Sequence, residues 1–230
     1  MRGHATDTRS NQKTLIAPSL PAADVVDFQG YFKVEVVAPG AVLYRPGAPT
    51  DKVYLLRSGR VRLLDVGRGR KRSVHAILKP GDLFGEVLRA EGSVLEEIAE
   101  ASGRCEVWSI ESRDFRALLE ARPALAVDVV RALGGRVRAL QQRVLGLTRK
   151  GVPARLAETL ISLAGPADGA GRDRALQGIT QQDLADLLGA SRSFVSTLIN
   201  KMKRDGSLAS HGRVLVLADE AALAKAAAKR

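Results

Sequence analysis

Between Ala126 and Leu147 the apolar residues alternate at spacings of four and three, a pattern that a helix gathers into one stripe. On a heptad, Val130, Val137 and Val144 take the a position, while Ala126, Leu133, Leu140 and Leu147 take d. Valine at a with leucine at d favours two parallel strands in a coiled coil, so the stripe predicts a homodimer seam. Its competing use is packing within the chain, against the segment before it. Arg136 and Arg143 flank the seam at g, opposite Gln141 at e, and supply no strong charge pairing. Gly134 and Gly135 lie beside it at e and f. Each costs about 1 kcal/mol against alanine inside a helix, marking either a soft point or a close approach.

The chain changes character near Arg122, just ahead of this helix. Upstream, VEVVAPGAVLYRPG, DKVYLLRSGRVRLLDVG, RSVHAILKPGDLFG and RCEVWSIE are short β-prone runs punctuated by glycine and proline. That spacing predicts an antiparallel sandwich or barrel. Gly40, Gly47, Gly59, Gly67, Gly81 and Gly85 fall where the chain must reverse. Downstream, TRKGVPARLAETLISLAG opens with a hinge-like Lys150-Gly151, puts Pro153 in the first turn of a helix and closes at Gly165 and Pro166. A polar loop, PADGAGRDRALQG, follows.

Thr180, with Asp183 three residues on, is a workable helix start for QQDLADLL, whose inward face is Ala185, Leu187 and Leu188. Gly189 suits a left-handed end to that helix, and Ser191 suits the cap of the next. Helix, short glycine-containing turn, helix is a helix-turn-helix. In the second helix Val195, Leu198, Ile199 and Met202 share the buried face, leaving Arg192, Ser193, Phe194, Ser196, Thr197, Asn200 and Lys201 outward. No acidic residue occurs between Asp186 and Asp205, as a surface approaching phosphates requires. SLASHGRVLVLAD reads as two short strands around a His211-Gly212 turn, the wing of a winged helix.

Composition narrows the remaining options. A formal charge of +11 suits an anionic partner, although the basic residues are spread along the whole chain as on any charged surface. No apolar run is long enough to span a membrane, and the polar start of the chain lacks the core of a secretory signal, so a cytoplasmic protein is expected. The single cysteine, Cys105, excludes an intrachain disulfide and a multi-cysteine metal site, and is expected to be a small buried apolar residue. His4, His75 and His211 are the only histidines and fall in separate segments, so a cupin-type metal enzyme is a poor reading and no metal site is expected. His75, in an alternating strand, is expected to be structural.

A β-barrel carrying PGDLFGE, a long dimer helix, ITQQDLADLLGASRSFVSTLINKMKRDG and a wing together resemble the Crp/Fnr family of bacterial transcription regulators, over about residues 30 to 217. The resemblance implies an α+β chain with an N-terminal double-stranded β-helix (cyclic-nucleotide-binding-like) barrel, a long dimerisation helix and a C-terminal winged helix-turn-helix. Its expected divisions are a polar extension over 1–27, the barrel over 28–122, the dimer helix and hinge over 123–150 and the DNA-binding unit over 151–230. The implied partners are double-stranded DNA, a second copy of the chain and RNA polymerase.

Position by position, the resemblance assigns Arg192 to a guanine, whose O6 and N7 a guanidinium bonds together. The family's other two base readers, an acid and an arginine, are replaced by Ser193 and Thr197, so its best-known target sequence does not carry over. Phe194 either packs on a thymine methyl or lies against the scaffold. Gln182 and Ser191 at helix starts, and His211 and Gly212 on the wing, match phosphate-approaching positions. Lys201 and Arg213 are further candidates without that precedent.

In cyclic-nucleotide-binding relatives a glycine and glutamate hold the ribose, and Gly85 and Glu86 match them. The arginine and serine that hold the cyclic phosphate are missing. SVLEEIAEA puts Leu95 or Glu96 at the arginine, and Glu96 or Glu97 at the serine. Without the bidentate partner, and with carboxylates beside it, a cyclic phosphate is poorly served. The dimer-helix residues that meet the adenine are replaced by Leu140 and Gln141. Gly85, Glu86, Glu96, Glu97, Leu140 and Gln141 therefore outline a candidate effector pocket, cyclic AMP is not the expected effector, and no cofactor is predicted.

Overall fold

The computed structural model describes residues 29–47, 51–66, 72–86, 95–164, 174–212 and 214–228. The expected extension 1–27, His4, Gly67, Gly165, Pro166 and Arg213 lie outside these. After a turn of 3-10 helix at Gln29–Tyr31 come β1 (Lys33–Val37), β2 (Val42–Tyr44), β3 (Lys52–Ser58), β4 (Val61–Val66), β5 (Arg72–Leu78), β6 (Leu83–Gly85), β7 (Glu97–Ala101) and β8 (Cys105–Glu111). They form two antiparallel four-stranded sheets, ordered β1-β8-β3-β6 and β2-β7-β4-β5.

Alternation along each strand explains why its apolar runs are unbroken. In β3, Tyr54 and Leu56 point between the sheets, where they meet Leu63, Phe84, Ala99 and Val107. Their neighbours Val53 and Leu55 point the other way, to Trp108, Ile110 and the helices that cover this sheet. Two glycines are fixed by sterics. Gly59 (φ +82°) and Gly85 (φ +81°) occupy left-handed backbone, and a Cβ would lie 2.5 Å from the Arg104 carbonyl oxygen or 2.6 Å from that of Lys52.

Helix α1 (Ser112–Ala121) and the 27-residue α2 (Pro123–Arg149) cover the first sheet through Phe115, Leu118, Leu125 and Val129. Helix α2 runs unbroken through Gly134 and Gly135, and Gly135 is buried. Lys150 adopts an extended conformation and ends it, and α3 (Val152–Ala164) starts two residues on, with Pro153 in its first turn.

The C-terminal unit holds β9 (Arg174–Leu176), α4 (Gln181–Leu188), α5 (Arg192–Arg204), β10 (Leu208–His211), β11 (Val214–Leu217) and α6 (Glu220–Ala227). Sequence reasoning took β9 for loop and missed α6. Strand β9 pairs antiparallel with β11, Leu176 facing Leu215, which makes the wing part of a three-stranded sheet. Helix α6 is capped by Asp219, whose Oδ1 accepts the Ala222 N–H at 2.9 Å, and buries Leu223 completely.

The C-terminal unit has no separate core. Leu64, Val74 and Ile98, on the outer face of the second sheet, belong to the same cluster as Leu160, Leu184 and Ile199. The barrel is thus covered on both sides, by α1 and α2 on one and by the helix-turn-helix on the other.

Candidate nucleic-acid interface

Helix α4 starts as its sequence predicts. Thr180 Oγ1 accepts the Asp183 N–H at 3.1 Å while Asp183 Oδ2 accepts the Thr180 N–H at 2.7 Å, a closed capping box built with aspartate. Gly189 (φ +60°) ends the helix in left-handed backbone, and the Ala190 N–H returns to the Ala185 carbonyl at 3.0 Å. Ser191 Oγ then accepts the Phe194 N–H at 3.2 Å and starts α5. Other carbonyls near the end of α4 are met from outside: Arg143 Nη2 donates to Leu187 O at 2.5 Å and Arg155 Nη1 to Leu188 O at 3.0 Å. Two cations at a helix C-terminus satisfy both its open acceptors and its dipole.

In α5, Val195 and Ile199 are fully buried and Leu198 and Met202 nearly so, which fixes the opposite face outward. Arg192, Ser193, Phe194, Thr197, Asn200 and Lys201 are exposed, and no carboxylate lies among them. Phe194 is 44% exposed, which leaves part of its ring open on the same face. The Ser193 and Thr197 hydroxyls stay close to the helix: Thr197 Oγ1 donates to the Ser193 carbonyl at 3.0 Å, and Ser193 Oγ lies 3.1 Å from Ser191 Oγ. The wing presents His211 and Gly212 to solvent at the β10–β11 turn, with Gly212 at φ +59°.

Gln182 is exposed as well, at the start of α4. Its Nε2 donates to Asp186 Oδ1 at 2.7 Å, and Asp186 Oδ2 accepts the Val74 N–H of β5 at 3.0 Å. The side chain expected to approach phosphate is thus bonded to the carboxylate that holds the barrel. Sequence reasoning missed Asp186 and, on β4, Arg62, which pairs with Asp183, as docking residues, because nothing local marks them.

Helix α2 leaves Val130, Val137, Leu140, Val144 and Leu147 between 52% and 67% exposed, a continuous apolar stripe with no covering group among the described residues. Leu133, read as a seam residue, is partly buried against the cluster that holds Trp108, Phe115 and Val129. The N-terminal half of α2 must cover the barrel, and Leu125, Val129 and Leu133, four apart, form the face that does so. Arg136 and Arg143 also turn inward, donating to the Leu83 carbonyl at 3.3 Å and the His75 carbonyl at 2.9 Å.

The six residues expected around an effector differ in their surroundings. Leu140 and Gln141 are exposed on α2, and Glu96 is exposed before β7. Glu97 is already engaged: Oε1 accepts the Tyr44 hydroxyl at 2.8 Å, and Oε2 lies 3.0 Å from His75 Nε2. Burial, reinforced by that carboxylate, pushes the Tyr44 hydroxyl far above its ordinary range. Gly85 is required by its steric surroundings and Glu86 follows it directly. Cys105 is buried and its Sγ donates to the Arg60 carbonyl at 3.0 Å. Among the described residues no three His, Cys, Asp or Glu gather as metal ligands, and no helix is long and apolar enough to cross a membrane.

A two-sheet barrel, a long helix with a bare apolar stripe and a winged helix-turn-helix with a carboxylate-free recognition face define a DNA-binding transcription regulator with a cyclic-nucleotide-binding-like domain. Residues 34–122 match the Cyclic nucleotide-binding domain and residues 154–226 the Crp-like helix-turn-helix domain. The chain belongs to the Crp/Fnr family. It is 26% identical over 191 residues to the CRP-like cAMP-activated global transcriptional regulator of Mycobacterium tuberculosis, covering 82% of this chain and 85% of that one. Among solved structures it is similar to a CooA mutant from Carboxydothermus hydrogenoformans, with 28% identity, a TM-score of 0.65 and 86% and 89% of the two chains covered. A CRP-family transcriptional regulator from Thermus thermophilus is similar at 27% identity and a TM-score of 0.67, with 84% and 96% covered.

Proposed function

We propose that this regulator acts in the cytoplasm as a homodimer on a two-fold-related DNA operator, in contact with RNA polymerase, and that cyclic AMP does not control it in the family's usual mode. The observation that carries the reading is the outward face of α5, where Arg192 stands exposed at the first turn in a row free of carboxylates. The bare stripe on α2 supports the dimer, since an exposed apolar patch of this length calls for a covering surface. Against cyclic AMP stand the missing phosphate arginine and serine, the commitment of Glu97 to Tyr44 and His75, and the outward position of Leu140 and Gln141. The reading is of a regulator and not of an enzyme.

A second reading, a ligand-sensing barrel with DNA binding secondary, draws on the bond from Val74 to Asp186, which ties α4 to the barrel. Selection of bound sites from random duplexes, with and without cyclic AMP, tests both. A two-fold motif enriched equally in both arms is the expected result. Enrichment only with cyclic AMP overturns the effector argument, and no enrichment favours the second reading.

A further inference from the structure

A cavity of about 140 Å³ opens where three elements meet: the β5–β6 connection (Lys79, Asp82), the inner side of α2 (Ala132, Leu133, Arg136) and the last turn of α3 (Leu163). None of the six residues expected around a cyclic nucleotide lines it. Its walls are mostly aliphatic, and its polar groups are unbalanced. Lys79 is only 8% exposed, and its Nζ has no hydrogen-bond partner. Close by, Arg60 Nη1 is also buried without a partner, although Nε and Nη2 donate to the carbonyls of Gln177 (3.1 Å) and Leu163 (2.8 Å). Arg136 reaches the Leu83 carbonyl.

Asp82, the one carboxylate among the described lining residues, has an oxygen occupied by the Lys79 N–H at 2.9 Å, and burial raises its pKa, weakening it as a counter-charge. Burial also lowers the Lys79 pKa, so an anion that brings charge-assisted hydrogen bonds both satisfies the buried amine and holds its proton in place. The aliphatic walls add a second requirement. A dry apolar cavity of about 150 Å³ holds benzene, so this volume suits a single ring or a short branched chain.

We propose that the cavity binds a small organic carboxylate, its charged end met by Lys79 and Arg136 and its apolar body lying against Ala132, Leu133 and Leu163. The occupant would sit beside the Arg60 bonds that join the barrel to α3 and to the segment leading into α4, and so would brace that joint. The inference stands independently of the DNA-binding reading, because it concerns a site with its own chemistry.

Calorimetry and thermal unfolding of the full chain with benzoate, butyrate, benzyl alcohol and inorganic phosphate provide the test. Benzoate or butyrate should bind saturably and raise Tm, with benzyl alcohol at least tenfold weaker. Lys79→Met, which replaces the buried ammonium with an apolar chain of similar length, should lose at least tenfold in carboxylate affinity. Ala132→Leu, which fills the cavity from the helix side, should lose it as well. No saturable binding by either carboxylate, equal binding of benzoate and benzyl alcohol, binding of phosphate alone, or unchanged affinity in Lys79→Met would each overturn the proposal.

Discussion

The Nε of Arg62, on barrel strand β4, lies 3.2 Å from Asp183 Oδ2 in the first turn of α4. That oxygen also accepts the Thr180 N–H that closes the capping box, so one atom serves both the start of a helix and its docking. Arg62 further approaches Glu100 at 3.5 Å and donates to the Gly178 carbonyl at 3.4 Å. Arg62→Ala leaves a buried carboxylate short of its partner and should cost about 3 kcal/mol in denaturant unfolding. Arg62→Lys should recover only part of this, because a single ammonium cannot spread over three acceptors. Equal stability of the alanine variant and the parent would show the contact to be incidental.

Arg192→Ala should weaken binding to the selected operator by about 1 to 3 kcal/mol and relax the choice at one base pair per half-site. Titrations against operators substituted singly at each position separate a base reader from a phosphate contact. Uniform loss on every sequence contradicts the assignment.

Leu140→Glu puts a carboxylate at the centre of the bare stripe on α2, in a position half exposed in the single chain. The folded unit should tolerate it, whereas a seam between two copies should not. Sedimentation is expected to show a monomer with unchanged helical content, and a persisting dimer would place the interface elsewhere.

Burial holds the Asp82 carboxyl above its ordinary range, so the folded chain binds that proton more readily than the unfolded chain does. The group's contribution to stability is therefore complete below the ordinary carboxylate range and falls as pH rises through it toward the folded value. Asp82→Asn keeps an oxygen acceptor for the Lys79 N–H but removes the titration, and should flatten that fall above the ordinary carboxylate range. Unfolding free energies at stepped pH give the slope directly. A slope identical to the parent's would show that Asp82 titrates normally.

Elements with local signatures were legible in the sequence. The capping box at Thr180, the left-handed end at Gly189 and the buried face of α5 each rest on contacts within a few residues, and each formed as read. Gly59 and Gly85 were visible as turn points because no other residue fits their backbone. Strand β9 was not legible, since three residues show no alternation and their pairing is with a strand some forty positions away. Helix α6 could have been found from its alanine-rich run and its Asp219 cap. The docked interface left no trace, because Leu64, Val74 and Ile98 look like any inward strand residue and 121 positions (183 − 62) separate Arg62 from Asp183. The heptad foresaw the stripe that α2 leaves exposed from Val137 to Leu147 but not the partial burial of Leu133, where the same helix also covers a sheet.

The bare stripe on α2 also has a place in time. The barrel and its covering helix precede the helix-turn-helix in the chain, so the stripe is made before α5 is. Domains generally fold as units, the N-terminal one first during synthesis. If the proposed dimer forms through Val137, Leu140 and Val144, a stripe made this early gives two chains the means to pair before either can hold DNA.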